Sequence, residues 1–226
     1  IYTGEDTLSL HDALPICGER IWTGVEAGQA QVDAAVQAAR EAFPAWSRLS
    51  MQKRLEYLTA FIELFKEQKD ELARRLCADT GKALWECVAE ISSPISKLKI
   101  SVEAYHDRTG LVVNGQKSVN SDLVRNASKA DSIVRHKPHG VIGVFGPYNF
   151  PVHIVHGHLL PALLAGNTVV LKPSELTPYI SEAFMKLWQE AGLPDGVINL
   201  IYVDGPTIGS VCFNHAQFAG VHFTGS

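Results

Sequence analysis

Gly146-Pro147-Tyr148-Asn149-Phe150-Pro151 and, one helix later, Lys172-Pro173-Ser174-Glu175 decide the fold of this chain. The first stretch comes after a short, wholly apolar run, Val141 to Phe145, and the second after Thr168 to Leu171, which reads as a second buried strand. Apolar runs bounded by Gly and Pro fit strands buried on both faces. Residues 152–164 between them read as a helix that stops at Gly166-Asn167. The alternation then continues. An amphipathic helix over 179–191 ends at Gly192, a strand spans 197–203, a short helix 206–213 and a fourth strand 220–223. Repeated strand–helix–strand units imply right-handed crossovers and a parallel sheet, so the class is α/β.

Towards the N-terminus the period changes to that of helices. Val32, Ala35, Val36, Ala39 and Phe43 recur at helical spacing over 29–46, where Pro44 is expected to end or bend the helix. A second helix is predicted over 50–78, carrying Leu55, Leu58, Phe61, Ile62, Phe65, Leu72 and Leu76, and Thr80-Gly81-Lys82 breaks it. A third is predicted over 84–105, with Pro94 kinking or splitting it. Between 110 and 129 the turn signals Asn114-Gly115 and Asn120-Ser121 and the β-prone Val112, Val113, Ile133 and Val134 predict an extended hairpin. That hairpin suits pairing with another subunit and equally suits a plain surface loop. Residues 1–16 show no periodicity and differ in texture from the rest of the chain.

Composition narrows the function classes. Of 226 residues, 46% are hydrophobic and 19% charged, which allows a sizeable core and argues against disorder. A net charge of −4 with no basic block leaves nucleic-acid binding without an electrostatic footprint. No apolar run is long enough for a membrane span, and no secretory leader pattern opens the chain. Cys17, Cys77, Cys87 and Cys212 form no CxxC pair, which fits a reduced, cytoplasmic protein. His153, His156 and His158 are the one histidine cluster; on a helix His153 and His156 share a face, and no third ligand for a zinc site can be named beside that pair.

Ligands of open α/β sheets bind outside the carboxyl ends of the strands. Four such ends here carry distinctive residues: Gly146 to Asn149, Lys172 to Glu175, Gly205-Pro206, and Thr224-Gly225-Ser226. Lys172 and Glu175 suit a nucleotide ribose, as donor and acceptor for its hydroxyls. On spacing alone the stretch also reads as an exposed helix entry in which Ser174 or Glu175 caps the next helix. The Asn149 amide can donate to a developing oxyanion, or it is simply a turn asparagine. Gly225-Ser226 can open a phosphate-binding helix N-terminus. No GxGxxG is present, which disfavours an ordinary Rossmann site. None of the cysteines sits in a setting that would lower its pKa, and all read as structural.

Taken in order, Thr80-Gly81-Lys82, the 140–151 segment, Pro161 to Asn167, Lys172 to Glu175, Gly192 to Val197 and Phe223-Thr224-Gly225-Ser226 resemble the aldehyde dehydrogenase superfamily over 17–226. Ala104-Tyr105-His106, Arg108-Thr109-Gly110 and the 145–151 stretch resemble the branch that oxidises N-succinylglutamate 5-semialdehyde in arginine catabolism. The resemblance implies a doubly wound parallel sheet with an N-terminal helical layer over 17–119, an oligomerisation arm over 120–138, and the βαβ part of the NAD-binding domain over 139–226. It implies NAD-dependent oxidation of a small-molecule aldehyde by a homo-oligomeric enzyme, through a cysteine thiolate and a water-activating glutamate. By matching positions Asn149 is the oxyanion donor. Lys172 and Glu175 hold the adenosine ribose, Ser174 is a further cofactor-binding position, and Phe145, Gly146, Pro147 and Tyr148 line the cofactor cleft. Gly205 and Gly209 give the adenine side room, Ser226 contacts the pyrophosphate, and Phe223, Thr224 and Gly225 are cofactor-binding positions beside it. Glu175 beside the ribose repels a 2′-phosphate, which favours NAD over NADP.

Two departures from the family pattern set further expectations, and one of them is that the glycine that completes the phosphate turn is missing. The catalytic cysteine and the base glutamate fall after Ser226, so the 226-residue chain is expected to lack turnover and to be marginally stable. Residues 1–16 match nothing in the family and are expected to be foreign to it. The alternatives are a succinate-semialdehyde or betaine-aldehyde type of the same superfamily, or a nucleotide-binding segment without catalysis.

Overall fold

The computed structural model describes residues 10–13, 20–109, 111–113, 116–118 and 133–225. Strands β1 (Leu10–Ala13) and β2 (Trp22–Val25) form an antiparallel pair. Five helices come next: α1 (Gln29–Arg48), α2 (Met51–Glu67), α3 (Lys69–Thr80), α4 (Leu84–Ile91) and α5 (Ser93–Arg108). Strands β3 (Leu111–Val113), β4 (Gln116–Ser118) and β5 (Ile133–Val134) make a small antiparallel sheet in the order β4-β3-β5. The remainder alternates: β6 (Val141–Phe145), α6 (His153–Leu164), β7 (Thr168–Lys172), α7 (Pro178–Glu190), β8 (Ile198–Leu200), α8 (Gly205–Asn214) and β9 (Phe218–Phe223). Most of the expected arm over 120–138 lies outside the described residues.

β6 to β9 form one parallel sheet in the order β8-β7-β6-β9. Side chains alternate across a strand, and the two faces are covered by different helices. Val141, Phe145 and Val170 join Val32, Val36 and Ala39 of α1 and Ile208 and Val211 of α8. Ile142, Val144, Val169 and Leu171 join Leu159 and Leu163 of α6, Phe61 and Phe65 of α2, and Phe184 and Trp188 of α7. The sheet is therefore doubly wound, as expected, and every residue of β6 and β7 is buried. That two-sided cover is why Val141 to Phe145 reads as an unbroken apolar run and why β7 is apolar between Thr168 and Lys172.

Three element boundaries depart from expectation. Pro44 lies inside α1, which runs on to Arg48. The turn beyond Pro44 is anchored by Trp46, buried in the core, whose indole N–H donates to Leu163 O at 3.2 Å. The helix expected over 50–78 is two helices, parted at Gln68 (φ −97°, ψ 13°). No Gly or Pro marks that turn, which lets both Phe65 and Leu72 reach the core. The third sheet strand covers Ile198–Leu200 where 197–203 was expected. The split near Pro94 occurs as predicted, with Ser92 between α4 and α5 and Pro94 in the first turn of α5.

Asn167 ties the start of β6 to α6. Its Oδ1 accepts from His139 N (2.7 Å) and Gly140 N (3.1 Å), and its Nδ2 donates to Ala162 O (3.1 Å). The buried Arg54 donates through Nε to Leu164 O at 2.9 Å, so α2 also holds the C-terminus of α6.

Candidate functional site

The sheet register brings the distinctive residues to one edge. Phe145 pairs with Lys172 on one side and with Phe223 on the other. Gly146 N donates to Lys172 O at 3.0 Å, and Thr224 N donates to Phe145 O at 3.1 Å. β8 is held alongside by Ile201 N donating to Leu171 O at 2.9 Å. The chain then passes to Asp204, whose carboxylate caps α8 by accepting from Thr207 N at 2.6 Å, and Gly205 opens that helix. All four strand ends thus face the same side, as ligand sites of open α/β sheets require.

Gly146 is obligatory for packing reasons. A Cβ there would lie 2.4 Å from Val155 Cγ2, well inside van der Waals contact. Phe145 and Pro147 are buried behind the lip, and Tyr148 and Phe223 stand exposed on it. A Cβ on Gly205 would meet nothing within 4 Å, so that side of the lip is open. Gly209 is half-buried in α8. Thr224 Oγ1 lies 3.1 Å from His158 Nε2, and Gly225 comes directly after it. Ser226 lies outside the described residues.

Lys172 is buried, and its Nζ lies 2.6 Å from Oε2 of the half-exposed Glu175. A buried ammonium needs such a partner, because stripping its water is costly otherwise. Asp204 joins this charge cluster. Its carboxyl is held below the usual range chiefly by the Thr207 backbone N–H and hydroxyl, with a smaller contribution from Lys172. One lysine donor and two carboxylate acceptors at a strand end are what the adjacent hydroxyls of a ribose can use.

The helix-capping alternative for these residues is corrected. The buried Ser174 hydroxyl accepts from Leu176 N (3.2 Å) and shapes the turn. The N-terminus of α7 is satisfied instead by Asp79 of α3, whose Oδ2 accepts from Ile180 N at 2.6 Å. Burial pushes the Asp79 carboxyl up to about 7, against the opposing effect of its backbone hydrogen bonds.

The Asn149 loop is held by two residues that sequence reading left out of the site. Gly81 ends α3 in the left-handed region (φ 70°), where glycine carries no Cβ penalty, and so turns Lys82 towards the sheet. The Lys82 ammonium donates to Asn149 O, lies 2.8 Å from Glu90 Oε2, and sits 4.0 Å from the Phe150 ring centroid. The buried Glu90 carboxylate uses its other oxygen on Val152 N (3.0 Å) and His153 N (3.2 Å), at the start of α6. Asn149 itself is exposed. Thr80-Gly81-Lys82 was visible in the sequence as a helix break and as part of the family resemblance, but neither gave Lys82 a place in the site. Glu90 reaches its partners across a sequence separation of 62 residues, which no local pattern reveals.

Cys87 and Cys212 are unsuited to thiolate chemistry. Both are buried, and burial pushes both thiols up to about 12. The three helix-α6 histidines go separate ways. His153 Nδ1 lies 2.7 Å from Ser93 Oγ, and His158 reaches Thr224. His156 is wholly buried beside Phe61 and Phe184, and burial lowers its pKa to about 4. Among the described residues no group of three His, Cys, Asp or Glu could hold a metal ion. A groove of about 400 Å³ between α2 and α5, lined by Leu55, Ile62, Leu98 and Val102, lies away from the strand ends. No helix among the described residues is long and apolar enough to cross a membrane.

Comparison with known proteins gives a consistent picture. Residues 2–226 match the aldehyde dehydrogenase family. The match includes residues 2–16, contrary to the expectation that this stretch matches nothing in the family. The chain is 46% identical over 212 residues to N-succinylglutamate 5-semialdehyde dehydrogenase of Escherichia coli O9:H4 (strain HS), covering 94% of this chain and 41% of that protein. It is 47% identical to the enzyme of the same name from Pseudomonas fluorescens (strain Pf0-1), with the same coverage. The chain therefore spans about 41% of the length of these relatives. Among solved structures, an aldehyde dehydrogenase from Bartonella henselae superimposes with a TM-score of 0.85 at 27% identity, covering 97% of this chain and 44% of that one. Betaine aldehyde dehydrogenase from Staphylococcus aureus, in complex with NAD+, gives a TM-score of 0.81 at 30% identity, covering 94% and 42%.

Proposed function

Since the chain belongs to the aldehyde dehydrogenase family, we propose that it is the NAD-binding segment of an enzyme that oxidises N-succinylglutamate 5-semialdehyde to N-succinylglutamate in arginine catabolism. The observation that carries this reading is the register that sets Lys172 level with Phe145 and Gly146, with Asn149 on the same edge. A ribose-binding pair and an oxyanion donor then share one lip. The relatives' names supply the substrate.

In this reading Lys172, Ser174 and Glu175 hold the adenosine ribose, and Glu175 disfavours a 2′-phosphate. Phe145, Gly146, Pro147 and Tyr148 line the cleft, while Gly205 and Gly209 leave the adenine side open. Phe223, Thr224, Gly225 and Ser226 meet the pyrophosphate. NAD, when bound, accepts the hydride that leaves the aldehyde carbon. The Asn149 amide N–H donates to the carbonyl oxygen as it gains negative charge, where a donor fixed beforehand contributes roughly 3–4 kcal/mol. Water then supplies the second oxygen of the carboxylate. The attacking thiolate is not Cys87 or Cys212, given their burial. The thiol and the base that activates water belong, in this reading, to the part of the relatives' length that this chain does not span. The protein works in the cytoplasm as a homo-oligomer, paired through the 120–138 arm.

The test is NADH formation, measured by absorbance, when the protein is given N-succinylglutamate 5-semialdehyde, succinate semialdehyde or betaine aldehyde in turn. The first substrate is expected to give the highest kcat/KM. A higher kcat/KM with either of the others would reject the substrate. No aldehyde-dependent NADH from a preparation spanning the relatives' full length would reject the activity.

A further inference from the structure

We infer that Lys82 is a positioning residue for Asn149, with Glu90 as its anchor. This rests on the reading above, in which the Asn149 amide is the oxyanion donor. The Asn149 side chain is exposed, so nothing in the core fixes its direction. Its backbone is fixed instead. Lys82 donates to the Asn149 carbonyl and stacks over the ring of the next residue, Phe150, at 4.0 Å. Two consecutive residues of the loop are thus held by one ammonium.

That ammonium is itself held. Glu90 Oε2 lies 2.8 Å from Lys82 Nζ, and Glu90 Oε1 accepts from Val152 N and His153 N at 3.0 and 3.2 Å. Glu90 is almost fully buried, its side chain 2% exposed, and Lys82 is 20% exposed. Breaking a pair this far from water costs more than breaking a surface pair, because losing either partner strands the other as an uncompensated buried charge. One carboxylate therefore links the start of α6, just after the loop, to the lysine that grips Asn149 within it. Lys82 thus grips the Asn149 carbonyl itself, and Glu90 fixes the chain directly after it. Catalytic donors work when they are in place before charge develops, and a displacement of about 1 Å lowers rate by about a hundredfold. The clamp supplies that fixed origin without touching substrate.

Two measurements test this. In the 226-residue chain, backbone and side-chain ¹⁵N relaxation of Asn149 reports order directly. Lys82→Met is expected to drop the Asn149 order parameter from about 0.85 to below about 0.6, with β7 amides unchanged. Lys82→Arg, which keeps the charge, is expected to restore most of it. Unchanged order at Asn149 in Lys82→Met would overturn the inference whatever the chain's activity. In enzyme spanning the relatives' full length, Asn149→Ala is expected to lower kcat by about 10²- to 10³-fold, as loss of an oxyanion donor does. Lys82→Met is expected to lower kcat at least tenfold with the Kd for NAD within twofold, and to add nothing to Asn149→Ala. If the two losses multiply, Lys82 acts elsewhere and the inference fails while the Asn149 reading stands. If Asn149→Ala leaves kcat unchanged, the oxyanion reading fails and takes the inference with it.

Discussion

Gly146→Ala tests how tightly the site lip is built. The added methyl would sit 2.4 Å from Val155 Cγ2, where 3.4–4 Å is ordinary contact, so about 1 Å of movement is required. Val155 is fully buried in the first turn of α6 and β-branched, with one preferred rotamer in a helix. It cannot swing aside cheaply. On the other side, Gly146 N is tied to Lys172 O at 3.0 Å, so the strand end resists retreat. Overpacking of this kind costs about 1–3 kcal/mol. For a domain of this size that lowers Tm by roughly 2–4 °C per kcal/mol, or about 4–8 °C for a cost of about 2 kcal/mol. A thermal melt monitored by circular dichroism measures it. Val155→Ala removes the colliding methyl, so the double variant should be less destabilised than the sum of the singles by about 1–2 kcal/mol. A Tm for Gly146→Ala within about 1 °C of the parent, or simple additivity with Val155→Ala, would refute the packing argument.

The charges around α7 and the lip set two further expectations. The folded-state pKa of Asp79, about 7, lies above its unfolded value. The folded chain therefore binds more protons between about pH 4 and 7, and stability falls as pH rises through that window. Discounted for partial exposure, the fall is about 2 kcal/mol. Asp79→Asn keeps an acceptor for Ile180 N, so urea midpoints across pH 4–7 should flatten, and an unchanged slope would contradict this. Glu175→Gln removes the charge expected to face a 2′-phosphate, so the ratio of NADP to NAD affinity by calorimetry should rise about tenfold, roughly 1.4 kcal/mol. A ratio that does not move would place Glu175 outside the ribose site.

Much of the fold was legible because the buried strands announce themselves. Val141 to Phe145 and Thr168 to Leu171 read as buried runs because helices cover both faces of the sheet, and the turn residues after them mark where the chain leaves it. The α2–α3 break at Gln68 was not legible, since it arises from where Phe65 and Leu72 find core rather than from any breaker. At Pro44 the helix does not end, for the reverse reason. A local breaker was outvoted by Trp46 packing further along the same helix. Within the site, Lys172 and Glu175 were readable as a pair three residues apart. Asp79, Lys82 and Glu90 were not, because each acts on a segment distant in sequence, and a buried carboxylate leaves no periodic signature.

If this segment holds NAD, the cofactor lies across the carboxyl ends of β6, β7 and β9. Titration of NAD into the ¹⁵N-labelled 226-residue chain, read by amide chemical shifts, is the sharpest test of that placement. Saturable shifts are expected at Gly146, Lys172, Glu175, Gly205 and Thr224, and they should be lost in Lys172→Met. Saturable binding whose shifts centre elsewhere, such as the α2–α5 groove, would contradict the placement, as would shifts at these residues that survive Lys172→Met undiminished.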